Sequence, residues 1–149
     1  METIYKLTDE KMQTYGGFQW EIGKTREAPG CGALCAAGWL HAYTDPILAL
    51  LLNPSHANFK TPRLFRGEGR VGATDHGLKI GCSRIVLREE LPLPKVTSEQ
   101  RVKFAILCAL EVHRAPAFVR WAEGWLSGKD RSRAAADAAA AAADAADAD

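Results

Sequence analysis

The chain has 149 residues, 47% hydrophobic and 25% charged, with a formal net charge of +1; these values are close to globular averages and exclude wholesale disorder and a fibrous repeat. The charge is unevenly placed. Residues 134–149 hold twelve Ala, four Asp and no base, leaving 14 acidic against 19 basic residues, a formal +5, in residues 1–133.

Met1 to Lys11 has no apolar core after a basic start, and the longest aliphatic run, Ile47 to Leu52, falls short of the roughly 20 apolar residues that cross a bilayer. The expectation is therefore a cytoplasmic protein whose cysteines, Cys31, Cys35, Cys82 and Cys108, stay as free thiols. Ile4 to Leu7 is short and compatible with a strand. Phe18, Gln19, Trp20, Glu21 and Ile22 alternate apolar with polar, the period of a half-buried strand with Phe18, Trp20 and Ile22 on one face. Pro29, Gly30 and Gly32 mark a loop, and a second strand-like segment runs from Trp39 to Tyr43.

Asp45-Pro46 is a helix start: the carboxylate can accept an orphaned N–H, and proline at the first position has no N–H to lose. Asn53-Pro54 is expected to stop that helix, because proline disfavours the α conformation in its predecessor. Ile47 to Leu52 are apolar on all sides and should be covered all round. Further on, Phe65, Gly67, Gly69 and Val71 alternate with Arg66, Glu68 and Arg70, with a bulge or a sheet edge expected at the glycines. Leu78, Ile80 and Cys82 are apolar on even numbers, and Ile85, Leu87 and Leu91 on odd numbers. One strand can hold both phases only with a bulge or break near Ser83-Arg84.

Thr97 and Gln100 have the spacing of a capping box. The run from Val102 to Val112 then reads as a helix central to the core, with Cys108 as a small buried thiol. Pro116 starts another helix, with Phe118, Trp121, Ala122 and Trp125 on one stripe and Gly128 as its stop. Strands first and helices after predict one α+β domain over residues 1–133, a small mixed or antiparallel sheet packed against two C-terminal helices. Residues 134–149 form an Ala/Asp-rich tail, helical or disordered.

Four residues are candidates for ligand binding. Trp39, His41 and Tyr43 share a face if their segment is extended, and they offer an aromatic clamp beside a proton donor or acceptor. The same residues could equally be a strand end packed under the next helix. Glu89 shares the parity of Ile85, Leu87 and Leu91, a costly place for a carboxylate unless it is paired or faces a cleft. Cys31-x3-Cys35-x5-His41 has no second ligand pair at matching spacing, so no metal is expected there. Basic residues from Lys60 to Arg88 are mixed with the acids Glu68, Asp75, Glu89 and Glu90 and read as a mixed solvated face, which makes nucleic acid a weakly supported partner. No P-loop, nucleophile-elbow, metalloprotease or kinase signature occurs.

The ordered segments GGFQWEIGK (16–24), LCAAGWLHAYTDP (34–46), LLNPSHAN (51–58), HGLKIGC (76–82), EQRVKFAILCALEV (99–112) and WAEGWLSGKDRS (121–132) resemble an uncharacterised domain family of tailed phages and prophages over residues 4–133. That resemblance implies a phage or prophage origin and a cytoplasmic place of action, and carries no catalytic residue with it. The expectation is a non-enzymatic accessory module, without cofactor, binding a host or phage protein, nucleic acid or small nucleotide. One alternative is a diverged NAD-dependent ADP-ribosyltransferase-like enzyme, with Tyr43 stacking nicotinamide, Glu89 stabilising the developing cation and His41 on ribose hydroxyls. Another is a virion or assembly component.

Overall fold

The computed structural model describes residues 1–137, so most of the Ala/Asp-rich tail expected over 134–149 lies outside the described residues. The fold is α+β, with an antiparallel sheet in the N-terminal half and helices in the C-terminal half. Met1–Val96 form one compact unit and a second begins at Thr97. The sheet falls in the first unit and the two later helices in the second.

The first unit is built on a long hairpin. After β1 (Glu2–Thr8), β2 (Gln13–Thr14), β3 (Phe18–Gln19), β4 (Thr25–Glu27), β5 (Leu40–Ala42) and helix α1 (Pro46–His56) come β6 (Arg63–Asp75) and β7 (Lys79–Leu91). β6 pairs with β1 on one side and β7 on the other, while β4 and β5 pair in tandem along the free edge of β7. Tyr5 and Tyr43 then exchange two backbone hydrogen bonds of 2.8 Å. This bridge joins the end of β5 to β1 and closes the ring β1-β6-β7-β5. The sheet packs a core of Ile4, Trp20, Ala42, Phe65, Ile80, Cys82, Ile85 and Leu87. Each large apolar side chain there contributes about 1.5–3 kcal/mol by leaving water.

The phase change in β7 takes the form of bulges. Arg70 pairs with Arg84 and Val71 with Cys82, passing over Ser83; Arg66 pairs with Glu89 and Gly67 with Leu87, passing over Arg88. Gly67 lies at the second irregularity, where an added Cβ would stand 2.5 Å from the Val86 carbonyl oxygen. At Gly69 an added Cβ would stand 2.8 Å from Cys82 Sγ and 3.0 Å from Ile4 Cγ2.

Three expectations for this unit need correction. Phe18 to Ile22 is not a strand with one buried face: β3 ends at Gln19, Trp20 is buried, and Ile22 is 51% exposed. The left-handed glycines Gly16, Gly17 and Gly23 bend the chain on both sides, so only Trp20 turns inward. Second, α1 runs through Pro54 to His56. Its last turn is held from outside the helix ladder, as the Asn53 side chain donates to the Phe59 carbonyl (3.0 Å) and accepts the Phe59 N–H (3.1 Å). The Asp45 cap is as expected, accepting from the N–H groups of Ile47 and Leu48. Third, α1 is covered on one side only: Ala49, Leu50 and Leu52 are buried, and Ile47 is exposed.

In the second unit, α2 (Ser98–Val112) starts with the full Thr97–Gln100 capping box, and α3 (Pro116–Leu126) follows. α2 is not the centre of a core. Only Ile106 is buried, while Val102, Leu107, Cys108 and Val112 are exposed, because its apolar residues run round all sides of the helix. On α3, Ala122 is buried and the Phe118 and Trp121 rings pack 5.6 Å apart. Gly128, with φ of 76°, donates to the Trp125 carbonyl and ends the helix. Arg131 stands over the Trp125 ring and pairs with Glu99 at 2.9 Å.

Candidate functional site

A cavity of about 950 Å³ opens in the first unit. Its wall is formed by the end of β1, the turn around Tyr15, the loop before β5, β5 itself, the end of α1 and the start of β7. Trp39, His41 and Tyr43 all line it. Their segment is extended, although its ladder is confined to Leu40–Ala42, with Tyr43 adding the bridge to Tyr5.

Each of these three side chains is fixed by a different contact. The Trp39 indole donates to the Gly32 carbonyl at 3.0 Å and lies against Gly72 and Gly81, where added Cβ atoms would meet it at 2.8 and 3.0 Å. His41 Nε2 bonds to the Leu34 carbonyl, and burial holds its pKa below the usual value. Tyr43 is 7% exposed. Its hydroxyl is 3.0 Å from His56 Nδ1, and burial pushes its pKa up to about 12. His56, on the last turn of α1, is likewise held below its ordinary pKa by burial, with the nearby Lys79 charge acting in the same direction. The imidazole is therefore neutral near pH 7, and with its proton on Nε2 it accepts from the tyrosine.

Glu89 is not brought to this cavity. The bulge at Arg88 reverses the alternation and turns Glu89 outward, where it pairs with Arg66 Nε at 2.8 Å. Arg88–Glu68 is a second exposed ion pair between the same two strands. Its shared parity with Ile85 and Leu87 was misleading because one extra residue shifts every later side chain to the other face.

Lys6 is a buried side chain of this cavity that sequence reasoning missed. It lines the cavity and is only 7% exposed. Its Nζ donates to the His41 carbonyl and stands 4.7 Å from the centroid of the Trp20 ring. Among the described residues Lys6 forms no ion pair. The ionisable group acting on it is the Cys82 thiol, which burial pushes up to about 11 and so keeps uncharged. Desolvation accordingly lowers Lys6 to about 8. The available signal was its parity with Ile4, which puts a lysine on the core face of β1.

A second cation, Lys79, lines the cavity and donates to Cys35 Sγ at 3.1 Å. Asp75 and Glu27 are the carboxylates in its wall. Tyr15, Phe18, Trp20 and Trp39 supply aromatic surface, with Tyr15 almost fully exposed. Cys31, Cys35, Cys82 and Cys108 are free thiols, and no group of three or more His, Cys, Asp or Glu among the described residues could hold a metal ion. No helix among the described residues is long and apolar enough to cross a membrane.

No curated protein and no solved structure matches the chain. A family model described as a domain of unknown function (DUF7666) matches residues 2–99, nearly the same span as the first unit. The chain belongs to that family.

Proposed function

We propose that the unit Met1–Val96 is a binding module for a small aromatic anion of the nucleotide class. The observation that carries this reading is Lys6, a buried ammonium lining the cavity that forms no ion pair among the described residues. A buried charge without an ionic partner is expensive, and an anionic ligand would supply the missing one. The cavity volume of about 950 Å³ suits a ligand of mononucleotide size, and the rings of Tyr15, Phe18 and Trp39 offer stacking surface for a base. The resemblance to phage and prophage proteins supports a place of action in the cytoplasm of an infected or lysogenic cell. Binding is favoured over NAD-dependent ADP-ribosyl transfer because Glu89 is committed to Arg66 outside the cavity.

The test is a titration with ATP, AMP and adenosine, followed by tryptophan fluorescence and calorimetry. Saturable binding of the two nucleotides, weaker for adenosine and lost in Lys6→Met, is expected. Equal weak binding of all three, or affinity unchanged in folded Lys6→Met, would overturn the reading.

A further inference from the structure

We propose that Lys6 is a reactive amine that condenses with the carbonyl group of a small anionic aldehyde or ketone held in the cavity. The proposal deepens the binding reading and rests, as that reading does, on the cavity admitting small molecules. Three features of the geometry support it. Lys6 lines a roughly 950 Å³ hollow. Among the described residues no carboxylate pairs with it. Its hydrogen-bond acceptor among the described residues is the His41 carbonyl, which needs a single N–H and leaves the lone pair of the neutral amine free. The Trp20 face, 4.7 Å away, attracts the charged amine, so it is burial, and not the ring, that favours the neutral form. Burial lowers Lys6 to about 8, so a sizeable share of the amine is neutral near pH 7.5, against well under one per cent for an ordinary surface lysine. This is how lysines that form Schiff bases are activated.

The step balances without a redox partner. The nitrogen lone pair forms a C–N bond to the carbonyl carbon as the C–O π bond breaks, and a proton passes from nitrogen to oxygen to give a carbinolamine. The C–O bond then breaks with loss of water, leaving the imine. In sum, one amine and one carbonyl give one imine and one water, the protons exchanging with solvent.

The experiment uses the full chain and pyridoxal 5′-phosphate as an aromatic, anionic aldehyde probe at pH 7.5. Borohydride reduction fixes any imine, and peptide mapping counts the adducts. Labelling of Lys6 at least about tenfold faster than the exposed Lys11 and Lys24 is expected, from its larger neutral fraction. Folded Lys6→Arg should lose that adduct while retaining surface labelling. Even labelling across the exposed lysines, with Lys6 unmodified, overturns the proposal. ATP titration runs in parallel to separate the two readings. Nucleotide binding without Lys6 labelling sinks this proposal alone, whereas Lys6 labelling that ATP neither blocks nor slows sustains it and sinks the nucleotide reading.

Discussion

The Tyr43 hydroxyl and His56 Nδ1, thirteen residues apart, meet at 3.0 Å with their rings stacked 5.9 Å apart and 13° from parallel. The contact fastens the last turn of α1 to the residue that closes the sheet onto β1. Tyr43→Phe removes the donor and leaves the imidazole nitrogen unpaired, and should cost about 1 kcal/mol in urea unfolding.

Acid should loosen the same contact. Burial holds His56 and His41 below the ordinary value of 6.5 in the folded state. Below that value the unfolded chain therefore binds protons that the folded chain refuses. Their contribution to stability is present above about pH 6.5 and declines as pH falls below it. Urea midpoints measured between pH 5 and 8 should show this decline, and His56→Gln should make it shallower.

Lys6 acts in the alkaline range and with the opposite consequence at neutral pH. Its folded pKa of about 8 lies below its ordinary 10.5, so the charged form is penalised on folding, fully below pH 8. Between pH 8 and 10.5 the folded protein releases its proton first and the penalty fades. Lys6→Met never carries it. The stability of that variant relative to wild type should therefore be greatest near neutrality and shrink by about 3 kcal/mol by pH 10.5. Chemical denaturation of both proteins across this range checks the prediction.

Two glycines should respond in opposite directions. Gly67→Ala forces a Cβ against the Val86 carbonyl oxygen at 2.5 Å, backbone that cannot move aside cheaply, and should cost about 1–3 kcal/mol. Gly124, inside α3, has only Asp130 Cβ near the added carbon, at 4.0 Å. Gly124→Ala should stabilise by about 0.5–1 kcal/mol through helix propensity. Thermal melts of the two variants give the signs directly.

Glu89→Gln removes one partner of an exposed ion pair. Its effect on stability should be below about 1 kcal/mol, and ligand affinity should be unchanged. A large loss of binding in this variant would return Glu89 to the site.

The elements set by local rules were legible in the sequence. The Asp45-Pro46 helix start, the Thr97–Gln100 box and the irregularity near Ser83 each follow from groups within a few residues of one another. Trp39, His41 and Tyr43 were legible as a cluster for the same reason. What escaped depends on distant partners. The helix runs past Pro54 because Phe59 returns to the Asn53 side chain. Glu89 faces outward because a bulge at Arg88 answers the geometry of β6. Lys6 is buried because a carbonyl 35 residues away receives it, and a lysine in a short strand otherwise reads as solvated.

The acceptor for Lys6 is a main-chain oxygen, and this has an evolutionary consequence. Any residue at position 41 brings the same carbonyl, so the bond survives exchange of the imidazole, and the two positions are under no pressure to change together. Relatives that have lost the histidine should still hold a lysine at position 6, whereas a search for compensating substitutions would pass over the pairing entirely.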